Sequence, residues 1–518
     1  MKYRSKSKTG GIHSLWLLAL LSLVIAFVLV VLLLWQPTNP QSPTAGDSVF
    51  MYCAAGIRVP VNEIAEQYAK LPLSQMIQLQ YGGSHTLLNQ LEVAGVGDLY
   101  LSADDSYMKL AIEKGLVKET IPVASVRPVV AVLKGNPQEV QTANDLVRAD
   151  VRVALGNPDA AAVGKKTRQV MEASGHWEEL SKHAVVFTPT VNDIANAVKV
   201  GSVDAGIVWD TTVAQYPDLE AVRLPELDSG TSQIVIGVLS SSKQPTMALR
   251  FARYLTSKDQ GLEVFRKYGY ATVEGDNWEP RPQLTLYSGG VNRVAIEQML
   301  EKFERREDVD INVVYNGCGV LCAQMKALRG GDRHGAFPDA YFACDVSFMD
   351  QVSDLFLDPI NVSETDMVII TDPENEHGVQ RLQDLSAPGI KLGIANPDES
   401  ALGALTRRLL RELGIEEELH VNVSTQTPTA DMLVNQVKLG GLDAAIVYRA
   451  NTSRVTEDVT VIDIDHPLAR AVQPYAAARH TDHHQTITRL IAAVRRARSG
   501  FEAAGFRYLN DAQTHDRR

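Results

Sequence analysis

Positive charge is in deficit in this chain. Fifty Lys and Arg stand against 62 Asp and Glu, for a formal net charge of −12. So acidic a chain is a poor partner for nucleic acid. The deficit does not exclude a small anionic ligand, because anion sites are often built from backbone N–H groups and helix N-termini, which net charge does not register. Cysteine is scarce too, at four in 518 residues. There is no phosphate-loop Gly-x4-Gly-Lys-Ser/Thr, no paired metal motif and no Ser–His–Asp signature. A triad assembles in space, so its missing signature weakens the case for an enzyme without closing it. The biases of disordered, collagen-like and coiled-coil chains are also absent. With 45% hydrophobic and 22% charged residues, the composition is globular and long enough for two to four domains.

What is present begins at the N-terminus. Lys2, Arg4, Lys6 and Lys8 precede an uncharged apolar run over residues 15–35. At 1.5 Å per residue such a run spans a hydrocarbon core of roughly 30 Å. A cleaved signal peptide has a shorter apolar stretch and a small-residue cleavage site, and no convincing site follows Trp35. Trp16 and Trp35 suit interfacial anchors, and the basic end stays inside. We therefore expect a basic cytoplasmic segment at 1–14, a single-pass transmembrane signal anchor at 15–35 and a stiff polar, Pro-rich linker at 36–46. A long signal peptide is the alternative. Both put the rest of the chain on the extracytoplasmic side of the cell membrane.

Self-comparison organises that remainder. Tyr52-Cys53-Ala54-Ala55-Gly56-Ile57-Arg58 recurs as Tyr287-Ser288-Gly289-Gly290-Val291-Asn292-Arg293. Tyr81-Gly82-Gly83-Ser84 recurs as Tyr315-Asn316-Gly317-Cys318, and Ser102-Ala103-Asp104 as Ala343-Cys344-Asp345. Further blocks pair Asn157-Pro158-Asp159 with Asn396-Pro397-Asp398, Thr188-Pro189-Thr190 with Thr427-Pro428-Thr429, and Ile207-Val208-Trp209 with Ile446-Val447-Tyr448. The order is kept throughout, at offsets of about 234 to 241 residues. A period that long means two fused domains rather than a solenoid. We expect them at 47–276 and 283–510, joined by a polar, Pro-interrupted stretch.

Within each copy short β-rich runs alternate with helical patterns. Residues 77–81 alternate apolar and polar and predict a strand, and 153–155 a short buried one. Residues 87–93 and 163–173 predict amphipathic helices. The βαβα order argues for an α/β fold with an open, mostly parallel sheet, whose ligands bind beyond the carboxyl ends of the strands. The repeated blocks fall on such strand-to-helix turns. Small residues let backbone approach a ligand, and the first N–H groups of a helix lack internal partners. Ser84 adds a neutral hydroxyl. Turns of this kind can hold a small dianion without a counter-charge.

Here the copies resemble a known family. Gly83-Ser84-His85-Thr86-Leu87, Gly97-Asp98-Leu99-Tyr100-Leu101-Ser102-Ala103-Asp104, Asp204-Ala205-Gly206-Ile207-Val208-Trp209 and Phe265-Arg266-Lys267-Tyr268-Gly269-Tyr270 are similar to blocks of the periplasmic molybdate-binding protein family. Ala504-Gly505-Phe506 stands at the end of the second copy as Gly269-Tyr270 does in the first. The resemblance covers nearly all of both copies. It implies two tandem class II periplasmic-binding-protein domains, each with two α/β lobes around a cleft. It implies five ligand positions of neutral hydroxyls and backbone N–H groups: Gly56, Ser84, Val163, Val191 and Trp209 in the first copy, and Val291, Cys318, Leu402, Ala430 and Tyr448 in the second. The family's opening Ser is Gly56 here, and its closing Tyr is Trp209, whose indole N–H donates with a different reach. In the second copy Tyr448 restores the Tyr, while Cys318 replaces the hydroxyl with a thiol, a weaker donor.

Cys53 suits a buried small hydrophobe. Cys318, Cys322 and Cys344 leave three readings open: a Cys318–Cys344 disulfide, inert thiols, or a soft-metal or thiol-reactive site favoured by the helix start. His480, Asp482, His483 and His484 fit no standard metal spacing and suit a solvated turn. Arg58, Arg293, Lys165 and Lys166 suit either the cleft or a helix surface. The expected function is capture of molybdate, tungstate or a similar oxyanion for an ABC transporter permease, with no cofactor and no catalysis. The rival is a sensor or scaffold in which only the first domain binds.

Overall fold

The computed structural model describes residues 48–72, 74–328 and 337–510. The expected membrane segment and linker lie outside them. Among the described residues no helix is long and apolar enough to cross a membrane.

The first copy contributes β1 (Ser48–Ala54), β2 (Met76–Gly82), β3 (Leu99–Ser102), β4 (Val117–Val126), β5 (Pro128–Leu133), β6 (Val153–Gly156), β7 (Val186–Thr188), β8 (Ala205–Trp209), β9 (Leu219–Val222), β10 (Ser232–Leu239) and β11 (Ala271–Thr272). The second contributes β12 (Gln283–Gly289), β13 (Asp310–Asn316), β14 (Ala340–Phe342), β15 (Ile360–Thr371), β16 (Leu392–Ala395), β17 (Val423–Thr427), β18 (Ala444–Tyr448), β19 (Thr460–Asp463), β20 (Arg470–Ala477) and β21 (Arg507–Tyr508). The helices that matter below are α1 (Arg58–Tyr68), α2 (Ser84–Ala94), α3 (Ala162–Ala173), α4 (Val191–Lys199) and α5 (Pro245–Leu255) in the first copy. Their counterparts are α6 (Arg293–Glu307), α7 (Cys318–Leu328), α8 (Ala401–Glu412), α9 (Ala430–Lys438) and α10 (His484–Arg496).

The first copy has two lobes. One is built on the sheet β11-β4-β10-β3-β1-β2, the other on β7-β6-β8-β5-β9. The short strands β5, rich in valine, and β6 are almost wholly buried and read as unbroken apolar runs, as sheets covered on both faces require. Helix α2 ends where Gly95 adopts a left-handed conformation that a side chain would strain. Each copy has its own apolar core, one spanning Val49 to Tyr270 and the other Leu284 to Phe506.

The sheets are mixed rather than mostly parallel. Strands β1 and β3 run parallel, as do β6 and its neighbours, but β10 runs antiparallel to β3 and β4, and β5 antiparallel to β8 and β9. The cause is that the chain crosses between lobes, so some strands return against the direction of the βα units. The crossing is also where the copies differ. In the first, β4 stops at Val126 and β5 starts at Pro128, which has no N–H to give a ladder. In the second, β15 runs through unbroken. It pairs with β20 up to Asp366 and with β18 from Met367, which merges both lobes' strands into one ten-stranded sheet.

Candidate functional site

The first cleft gathers the ends of β1, β2, β3 and β8 and the starts of three helices. All five residues expected from the sequence line one small cavity of about 20 Å³: Gly56, Ser84, Val163, Val191 and Trp209. The rest of its wall is alanine, glycine and Thr190, with no charged side chain. The N-caps of α2 and α3, Gly83 and Ala161, make no side-chain cap, and neither does the turn that carries Gly56. Apart from the His85 N–H, which is taken by the Ala160 carbonyl, first-turn N–H groups are therefore available at the cavity. Ser84, 1% exposed, accepts a hydrogen bond at Oγ from the Ala103 N–H at 3.2 Å. Accepting uses a lone pair, so its hydroxyl proton is still able to donate.

Trp209 is 3% exposed, and its Cδ1, bonded to the indole nitrogen, lies 3.9 Å from where a Cβ on Gly56 would stand. The same Cβ would lie 2.8 Å from Val191 Cγ1, so Val191 occupies space that a serine at 56 would need. Tyr270 braces this turn by donating its hydroxyl to the Gly56 carbonyl at 3.0 Å. The lobes meet across the cleft: the His85 N–H donates to the Ala160 carbonyl at 3.3 Å, and Asn192 Nδ2 to the Ala55 carbonyl at 3.1 Å. A Cβ on Gly83 would stand 2.5 Å from the Ala160 oxygen and 2.6 Å from that of Pro189. This close approach requires glycine.

The second cleft repeats the frame with different chemistry. Gly317 is pressed against the Glu399 and Pro428 carbonyls as Gly83 is against Ala160 and Pro189. Val291, Leu402 and Ala430 are buried at the matching turns. The Cys344 N–H donates to Cys318 Sγ at 3.1 Å, the same bond that Ala103 makes to Ser84. Burial opposes ionisation of Cys318, but hydrogen bonds from the Cys344 thiol, the Tyr341 hydroxyl and the Cys344 N–H outweigh it and bring the thiol below its ordinary range. The Cys344 thiol is pushed well up by donating to Cys318 and by burial. Burial likewise pushes Tyr448 well up and keeps its hydroxyl neutral, and that hydroxyl has no hydrogen-bond partner among the described residues. All four cysteines are free thiols.

None of the other candidates lines the first cavity. Arg58 stacks 4.9 Å over the Tyr81 ring and Arg293 5.4 Å over Tyr315, each ring on an edge strand of its sheet. Lys165 lies 4.5 Å over Tyr107, and Lys166 pairs with buried Asp104 at 3.7 Å. Asp482 accepts from Lys258 at 3.0 Å and so ties the copies together. Sequence reasoning did not single out Ala103, Ala161 or Tyr270 as parts of the pocket. Their signal was available in the repeated Ser102-Ala103-Asp104 block and in the terminal Gly-aromatic pair.

The sequence pattern of the bacterial extracellular solute-binding proteins matches residues 49–271 and again 284–507. The chain belongs to that family. Members of this solute-binding family are binding proteins rather than enzymes. The chain is similar to the molybdate-binding protein ModA of Mycobacterium tuberculosis, 26% identical over 238 residues, 45% of this chain and 88% of the relative. It is similar to the protein named "Putative ABC transporter substrate-binding lipoprotein YvgL" of Bacillus subtilis, 26% identical over 255 residues, 48% of this chain and 97% of the relative. Among solved structures, the periplasmic molybdate-binding protein of Azotobacter vinelandii matches with 15% identity and a TM-score of 0.38, over 44% of this chain and all of its own. Both relatives align with about half of this chain, as expected of a solute-binding domain carried twice.

Proposed function

We propose that the first domain captures a tetrahedral oxyanion of the molybdate and tungstate class and delivers it to an ABC importer. The observation that carries this reading is the neutral cavity whose wall holds Ser84, Trp209 and three uncapped backbone turns. Its donors are fixed before the ligand arrives, so exchange of water for N–H and O–H groups needs no counter-ion. Selectivity then rests on cavity size, with sulfate the smaller competitor. The similarity to molybdate-binding proteins supports the same class. The ligand positions are Gly56, Ser84, Val163, Val191 and Trp209. In the second domain they are Val291, Cys318, Leu402, Ala430 and Tyr448.

The apolar run at 15–35 would tether the protein beside its permease and raise the local concentration there. A second reading keeps the second domain as a scaffold or regulatory unit without a hard-anion site. Cys318 and Cys344, in place of Ser84 and Ala103, favour it.

Calorimetric titration of the purified full-length chain with molybdate, tungstate and sulfate, under reducing conditions, tests both. Two equivalents of molybdate or tungstate with no sulfate binding support a double-headed receptor. One equivalent, lost in Ser84→Leu and kept in Cys318→Leu, supports a single working cleft. No heat with any of the three, on folded protein, refutes the oxyanion reading.

A further inference from the structure

Three replacements in the second pocket belong together. Cys318 stands where the first copy has Ser84, and Cys344 where it has Ala103. The shared N–H bond across the pocket floor proves the correspondence. The third is Gly289, which stands where the first copy has Ala54. A Cβ there would lie 2.0 Å from Cys344 Sγ and 3.1 Å from Cys318 Sγ. The methyl group that Ala54 carries is therefore missing where two sulfurs converge. One thiol in a pocket is a common substitution. Two facing thiols, with a glycine that makes room for them, are a built pair.

We infer that Cys318 and Cys344 are a modification site, a dithiol that closes to a disulfide across the floor of the second cleft. The family is extracellular, and outside the cytoplasm disulfides persist. The oxidant is a disulfide of the glutathione class. Cys318, as thiolate, attacks one of its sulfurs, breaks the S–S bond and releases one thiolate, which leaves a mixed disulfide on Cys318. Cys344 gives its proton to the released thiolate and attacks Cys318 Sγ, which expels the second thiolate. Two electrons pass to the oxidant, and its two sulfurs leave as thiols after the second takes a proton from water.

Cys318 is the attacking group because it opens α7, where the helix N-terminus favours the anion, and because its bonds from Cys344 and Tyr341 stabilise the thiolate. Cys322 is not its partner, since its thiol is turned to the Phe348 carbonyl at 3.2 Å. Both reacting sulfurs are buried, so exchange requires the lobes to part. A cavity of about 510 Å³ between Gly319, Cys322 and Arg407 reaches the start of α7 from solvent.

The proposal stands apart from the oxyanion reading, because its readout is a covalent bond. The purified full-length chain is equilibrated in glutathione buffers from reducing to oxidising, quenched with acid, alkylated and mapped by mass spectrometry. The expected result is a Cys318–Cys344 cross-link as the main product, with Cys53 and Cys322 alkylated. Gly289→Ala, which restores the first copy's residue, should lower the cross-link at least tenfold, and Cys344→Ala should stop at a glutathione adduct on Cys318. Free thiols across the whole series, a Cys318–Cys322 bridge, or an undiminished cross-link in Gly289→Ala would overturn the pair.

Discussion

At the scale of single residues, the two pockets are variations on one backbone frame. Gly56 is the instructive position. The resemblance expects a serine, and the structure explains its loss: Val191 Cγ1 stands 2.8 Å from the site of the missing Cβ. The two residues are therefore coupled. Gly56→Ser alone should weaken molybdate binding, because overpacking costs about 1–3 kcal/mol. Adding Val191→Ala should recover the loss and exceed the parent affinity, since the new hydroxyl can then point into the cavity. A double-mutant cycle by calorimetry checks this, and simple additivity would contradict the coupling.

Among elements, the decisive contacts are those between lobes. Gly83 at the start of α2 faces two backbone carbonyls of the other lobe, Ala160 and Pro189. Backbone cannot swing aside as a side chain can. Gly83→Ala should therefore hold the first cleft open while leaving each lobe folded. We expect an unchanged melting temperature without ligand and at least a tenfold loss of affinity, about 1.4 kcal/mol. A lowered ligand-free melting temperature would show instead that the contact serves folding. The crossing strands also differ between the copies. The first copy breaks at Arg127, whereas β15 of the second is continuous.

For the whole molecule, the copies are held together by buried charge. Glu307 at the end of α6 accepts two bonds from Arg489, at 2.8 and 3.0 Å, and lies 4.0 Å from Arg253 of the first copy. Arg253 also donates to the Glu307 carbonyl, and its burial brings the guanidinium down to about 10. Arg306 adds a pair with Glu119 of the first copy at 2.8 Å, and Asp276 of the joining stretch accepts from Thr486 at 2.8 Å. Glu307→Ala would leave two buried arginines without their nearest counter-charge, with only Asp276, Glu119 and Asp308 acting from further off, a loss of up to about 3–5 kcal/mol. Thermal unfolding should then begin at a clearly lower temperature and separate into two steps, as the copies come apart before their cores melt. A single transition at the parent temperature would show that the pair contributes nothing to the interface.

The repeats are written locally, and the sequence by itself determined them. The recurring blocks announce two copies because each block is a turn with strict size limits. The strand at 76–82 and the helices near 84–94 and 162–173 follow from local periodicity. The family positions follow from the same turns, and the first five meet at one cavity. Only the tertiary structure decided the rest. Strand direction depends on how often the chain crosses between lobes, which local pattern does not encode, and so the sheet is mixed. The claim of Val191 on the space beside Gly56 arises between residues 135 positions apart. The convergence of Cys318, Cys344 and Gly289 arises likewise, from three strand ends brought side by side by the parallel pairing of β12 with β13 and β14. Distances across a pocket belong to packing, and packing is not local.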